Sequence, residues 1–414
     1  MPVTHDVIIA GGGVAGAATG AALSQLGYRV LIVEPGLDHT RRLAGELIHP
    51  PGVSNLRALG LLACVEEAGA IPVHGFAVFA GGADVLRYAE VAGLKDAGIA
   101  IEHGVMAGAL LNTVERLPNI TVWRGARVTG VDLTGADSAA ATVEHEGSES
   151  QLRTALLVAA DGRNSHVRRM AGIADRHIHI SNMIGFVLNE TRLPHPGFGH
   201  VFAGGPAPVL AYGISPGETR VMLDVPVVSA DPKEIGAYLG ALPQPLRGDV
   251  EDVIERQTPL RSANYSVVPE AVVRGRLVCV GDAGGCCHPV TATGLSACAR
   301  DAILLRQALH YAGGDIPNAL HRYAGLRDGP QRTRMAGAEV LYEVLKAATP
   351  EMHLLRQGLL RYWQRSPRGR ARTMALLSTH EDRISAVVRE YMQVCLHALP
   401  GLIRLNTRRQ AHLS

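Results

Sequence analysis

One stretch near the N-terminus constrains the fold more than any other. Val7 to Ala10 (VIIA) is a short β-branched run that ends on Gly11, Gly13 and Gly16, with Val14 and Ala15 between them. Ala17 to Leu26 then has the small-residue composition of a closely packed helix, and Val30 to Val33 reads as a second strand closing on Glu34 and Pro35. Gly11 admits the tight turn, Gly13 lets backbone approach a pyrophosphate, and Gly16 lets helix and strand touch. Glu34 stands where an acid binds a ribose diol. A glycine-rich turn without a ligand would need neither the strand-helix-strand setting nor the acid, so the stretch predicts a dinucleotide site.

A second stretch, Gly275 to Leu305, has related logic. Leu277 to Val280 reads as a buried strand running into Gly281-Asp282. Small residues fill the loop to Thr293, and Gly294 and Leu295 open an apolar periodic segment that predicts a helix. An acid that can take a ribityl hydroxyl thus lies beside a helix N-terminus, which stabilises an anion placed over it. Reduced flavin is such an anion. A third strand, in Ala155 to Arg169, ends on Asp161-Gly162.

These residues carry a resemblance. Gly281-Asp282 followed by His288-Pro289-Val290-Thr291, Gly294 and Asp301-Ala302-Ile303-Leu304-Leu305 is similar to the second FAD motif of squalene epoxidases, within the single-component flavin monooxygenases. Arg41 to Leu61 resembles the same family's Arg, Gly-Glu-Leu-Leu-Gln-Pro-Gly-Gly and Leu-Gly-Leu segment, and Pro206 to Asp224 its Pro-x-Pro-Val-Leu-x-Tyr-x-Ile-Ser, Glu-Thr-Arg-Val and Asp run. The resemblance implies that Arg42 contacts the FAD phosphates or adenosine side, that Gly45 and Glu46 line the flavin loop, that Val128 offers backbone to adenine, and that Asp161-Gly162 serves FAD. It implies that Pro289 belongs to the flavin loop, and that Tyr212 stands in the wall of the substrate pocket or is a structural tyrosine.

The chain departs from the family at three places. His49 stands where the family has Gln and Phe76 where it has Tyr, a pair that hydrogen-bonds near the reacting face of the flavin. Val105 stands where an FAD-contacting Arg is found. Either His49 deprotonates or orients a phenol or enol, or it is a loop histidine bonded to backbone. Pro50 and Pro51 are expected to stop regular structure there. His288-Pro289 is expected to set a turn.

Composition narrows the classes. Charged residues make up 19% of the 414 and the net charge is +2, which suggests neither nucleic-acid binding nor disorder. The six cysteines show no CxxC or Cys/His metal spacing, and Cys286 and Cys287 read as small packing residues. No signal-peptide pattern or run of spanning length is evident, which points to the cytoplasm.

The expected fold is α/β: a Rossmann-like FAD domain from 1–75, 101–175 and 271–330, a β-sheet substrate domain from 76–100 and 176–270, and a helical region over 331–414. The expected function is FAD-dependent monooxygenation, through a flavin C4a-hydroperoxide, of a double bond in a lipophilic substrate. Hydroxylation of an aromatic or heteroaromatic natural product is the alternative, and an isoprenoid reductase a further one. NAD(P)H is the expected reductant, directly or through a separate flavin reductase. No metal site is expected, and the C-terminal helices leave open a peripheral membrane contact.

Overall fold

The structure, a computed structural model, describes residues 5–36, 43–225 and 232–411. Its central sheet has six strands in the order 273–274, 277–279, 156–159, 7–10, 30–34, 120–124. All pairings are parallel except that of the 273–274 edge strand. These strands read as continuous apolar runs because both faces are covered. Val7, Ile9, Val30 and Ile32 face helices Val14–Ser24, His103–Val114 and Gly294–Ala312. Ile8, Leu31 and Val33 face the three-stranded sheet of 127–132, 139–145 and 148–154.

A second sheet has seven strands in the order 260–269, 175–189, 218–225, 209–215, 199–202, 75–79, 83–87. Period-2 alternation divides it. Met183, Val187, Tyr212 and Met222 face the C-terminal helices, whereas Ile184, Phe186, Val221 and Leu223 pack with the 246–256 helix behind. The C-terminal region is helical as expected, over Ile316–Lys346, Pro350–Arg365, Pro367–Leu377 and Ile384–Ala411. Among the described residues no helix is long and apolar enough to cross a membrane.

The structure differs from the local sequence expectations at several points. The first helix begins at Val14 and ends at Ser24, because three glycine-turn residues already have helical geometry. Pro50 and Pro51 do not stop regular structure: they open the Pro50–Ala58 helix, where a missing N–H costs nothing, and His49 is its extended N-cap. On either side of His74 the chain forms two strands in different sheets, Ile71–Val73 and Gly75–Phe79. They part at Gly75, whose φ of 147° and whose Cβ position 2.0 Å from Leu86 O admit only glycine.

Candidate active site

The three cofactor motifs meet at the carboxyl ends of the parallel strands. A Cβ on Gly11 would lie 2.6 Å from Ala160 O, just before Asp161, and one on Gly281 2.7 Å from the Ala15 Cβ. Gly16 is as tightly held, with a Cβ position 1.8 Å from Gly11 O. Gly13 and Gly294 differ: a Cβ on either would meet nothing within 4 Å. The cradle is therefore closed where chain packs on chain and open where a pyrophosphate and an anionic ring would lie.

The acids of this cradle do different work. Glu34 accepts the Gly12 N–H at 2.6 Å and the Gly36 N–H at 2.8 Å, so its carboxylate bridges the glycine turn. Asp282 is half-buried, and no hydrogen bond of its carboxylate to the described residues is found, which leaves it available to a ligand hydroxyl. Asp161 is occupied. It accepts from Ser165 Oγ at 2.5 Å and from the His166 and Val167 N–H groups at 2.7 and 3.0 Å, capping the short 166–170 helix. Its neighbour Gly162, at φ 82°, has nothing within 4 Å of its Cβ position.

Behind Gly281 lies an ion pair that periodicity alone does not announce. Asp301 accepts the Gly281 N–H at 2.8 Å and the Arg327 Nε–H at 3.0 Å, and both side chains are buried. Arg327 follows Ala319, Leu320 and Tyr323 on the buried face of its helix. A cation on an apolar stripe is the signal that could have marked it.

The Leu47–Ile48 strand and its flanks carry the loop over the cradle. A Cβ on Gly45 would touch Leu295 at 3.2 Å, and the His49 N–H donates to Ser296 Oγ at 3.0 Å. Glu46 is buried against the second sheet, accepting from Arg220 Nε at 3.0 Å and Tyr212 Oη at 3.1 Å. Burial pushes the Glu46 carboxyl up while Arg220 and Tyr212 oppose that rise, and burial with the Glu46 charge pushes the Tyr212 hydroxyl well up.

His49 is wholly buried. Its Nε2 lies 2.8 Å from Thr291 O and its Nδ1 2.7 Å from Tyr88 Oη. A carbonyl only accepts, so Nε2 carries the proton and Nδ1 accepts from Tyr88. Burial lowers its pKa to about 4, so the ring is neutral. Phe76 packs on both, its ring centroid 5.8 Å from His49 and 6.5 Å from Tyr88. Residue 49 thus has a tyrosine partner, supplied by Tyr88 rather than position 76.

Val105 is exposed at the first turn of the 103–114 helix, where Glu102 caps its N–H at 2.9 Å. Val128 is buried in its strand and Pro35 is exposed beyond Glu34. Arg42 lies outside the described residues.

An apolar cleft with a cavity volume of about 100 Å³ runs from Thr291 and Thr293 between the C-terminal helices. Gly337, Leu341, Val344 and Leu359 line it together with Val387, Tyr391 and Val394. His49, Phe76 and Tyr212 do not line it; His49 touches it only through the backbone of Thr291.

This fold is that of FAD-dependent monooxygenases. The chain superposes on p-nitrophenol 4-monooxygenase PnpA from Pseudomonas putida with a TM-score of 0.74, at 19% identity over 95% of this chain and 99% of that one. On Pseudomonas aeruginosa PqsL in complex with 2-aminobenzoylacetate the TM-score is 0.71, at 20% identity over 83% and 96%.

Sequence comparison narrows the class. The squalene epoxidase family model matches residues 153–411. A squalene epoxidase of Schizosaccharomyces pombe is 26% identical over 95% of this chain and 90% of its own length. One of Aspergillus fumigatus is 30% identical over 87% and 79%, and squalene epoxidase 3 of Arabidopsis thaliana 30% over 74% of this chain and 60% of its own. The chain belongs to the squalene epoxidase family and is an FAD-dependent monooxygenase.

Proposed function

We propose that this protein epoxidises a carbon-carbon double bond of a lipophilic, isoprenoid-type substrate held in the cleft between its C-terminal helices. FAD, when bound and reduced by NAD(P)H directly or through a reductase, supplies the activated oxygen derived from O₂. The chain's residues bind and orient. Gly13 and the N-terminus at Gly294 receive the phosphates and the ring, Asp282 takes a ribityl hydroxyl, and Glu34 a ribose. The apolar walls exclude water from the reacting oxygen.

The observation that carries this reading is the apolar cleft beginning at the cofactor loop. His49 favours epoxidation over phenol hydroxylation, since a neutral imidazole with both nitrogens engaged has no free site to take a phenolic proton. Incubation with FAD, a reductant and acyclic isoprenoids under ¹⁸O₂ tests it. One ¹⁸O atom per epoxide is expected; labelled phenols from aromatic substrates, with no epoxide, would overturn it.

Tyr391, which lines the cleft, also belongs to an uncovered face of the 384–411 helix. Ile384, Val388, Tyr391, Met392, Leu396 and Leu399 are all exposed at helical spacing, while Ala386, Val394 and Ala398 face inward. We read this stripe as resting on a lipid surface, from which the substrate enters beside Tyr391.

A further inference from the structure

One buried carboxylate plays no part in the site so far. Asp224, on the 218–225 strand, is 2% exposed, and neither of its oxygens makes a hydrogen bond within the protein. The nearest charge partner is His288 of the cofactor loop, with Nε2 3.2 Å from Oδ2. His288 Nδ1 accepts the Val290 N–H at 3.1 Å, so in the neutral ring the proton sits on Nε2, facing Asp224 and, at 3.1 Å, Ser181 Oγ. Ser181 Oγ already accepts from Asn264 Nδ2 at 2.9 Å. Tyr342 covers the imidazole, with centroids 3.9 Å apart and planes at 26°. Its buried hydroxyl faces Asp224 and Ser181.

Folding alone gives no reason to keep an acid there. A buried carboxylate held mainly by one imidazole contact opposes folding, and an amide of the same shape would cost less. Such groups persist where a site needs them. The use of this one follows from what His288 holds. With Nδ1 accepting from Val290, His288 caps the Pro289–Thr291 turn. That turn presents Thr291 O to His49, places Ala292 at φ 52°, and leads into the open N-terminus at Gly294. A proton on Nδ1 instead would set two N–H groups against each other at Val290.

We propose that Asp224 is a positioning residue for the cofactor loop: its charge holds His288 in the Nε2–H tautomer, and His288 thereby fixes the Pro289–Thr291 turn on which FAD rests. An asparagine at 224 can present either an N–H or a C=O to Nε2, so the tautomer is released while the shape is kept. The test measures two quantities on Asp224→Asn: the FAD dissociation constant, by fluorescence titration of apoprotein, and the melting temperature of the apoprotein. The dissociation constant is expected to rise roughly fivefold or more, as for the loss of a charge-assisted contact. The apoprotein is expected to melt no lower than the parent. A smaller rise, or an apoprotein that melts lower, overturns the proposal, because a purely structural acid lowers the melting point. Tyr342→Phe keeps the ring on His288 and removes only the hydroxyl. Its FAD affinity is expected to stay within about twofold of the parent's, and a loss as large as that of Asp224→Asn would assign the effect to packing on the imidazole, overturning the role of the charge.

Discussion

Arg220 and Glu46 form a fully buried ion pair that joins the seven-stranded sheet to the segment before the Leu47–Ile48 strand, with Nη2 2.5 Å from Oε1 and both side chains at 0% exposure. Cutting one partner leaves an uncompensated charge in the interior. Glu46→Ala is expected to destabilise the protein by about 3–5 kcal/mol. The double variant Glu46→Leu with Arg220→Met is expected to recover much of that. Chemical denaturation of the single and double variants measures both, and equal losses would show that the charge is not the cause.

The Asp282 carboxylate has no hydrogen-bonded competitor among the described residues, and the proposed function gives it a ribityl hydroxyl. Asp282→Ala is expected to weaken FAD by about 1.5–3 kcal/mol, seen as loss of yellow colour on dilution and a raised dissociation constant. Asp161→Ala is expected to act differently. Its oxygens cap the 166–170 helix, so the loss should appear first as a lower melting temperature, by about 1 kcal/mol of cap energy.

His49 makes stability depend on pH. Its folded pKa of about 4 lies below the ordinary 6.5, so the unfolded chain binds the extra proton between those values. Stability is therefore complete above about pH 6.5 and falls toward pH 4, by up to about 1.4 kcal/mol per pH unit from this residue. His49→Gln keeps a donor for Thr291 O and an acceptor for Tyr88 Oη and should flatten that slope. Buried His200, also lowered to about 4, leaves a remainder. Urea midpoints at pH 7 and pH 5 give the comparison.

Gly337 lines the cleft and has nothing within 4 Å of its Cβ position. Gly337→Leu is expected to fill the cleft while leaving FAD binding intact, and to gain up to about 1 kcal/mol of helix stability. Turnover of a long isoprenoid should fall at least about tenfold, the consequence of displacing its chain from the flavin. Undiminished turnover would place the substrate elsewhere.

Val388 and Met392 lie on the exposed stripe, away from the buried face of their helix. Val388→Glu with Met392→Glu should abolish sedimentation with lipid vesicles. Epoxidation of detergent-dispersed substrate should persist. Vesicle binding that survives both charges would remove the stripe from membrane contact.

Much of the fold could be read from local sequence because the cofactor motifs are short and self-contained. Gly11 to Glu34 dictates its own turn, helix and strands, and the Gly281-Asp282 stretch does likewise. Contacts between distant segments could not be read that way. Tyr88 reaches His49 because Gly75 breaks the strand between the two sheets, and Arg220 reaches Glu46 across a separation of 174 residues. Proline at 50 and 51 misled because the same missing N–H that ends a helix also suits its first turn. The departures at 49 and 76 were visible as letters; that His49 keeps a tyrosine partner through Tyr88 depends on packing that letters do not record.

Ala15 and Gly281 touch across most of the length of the chain, so neither half owns the flavin pocket. Expressed as separate fragments, an N-terminal piece would carry the glycine turn and a C-terminal piece the Gly-Asp corner, and each would lack one wall. Flavin retention is thus a report on completed synthesis: a polypeptide still on the ribosome stays colourless until its last third has emerged and docked.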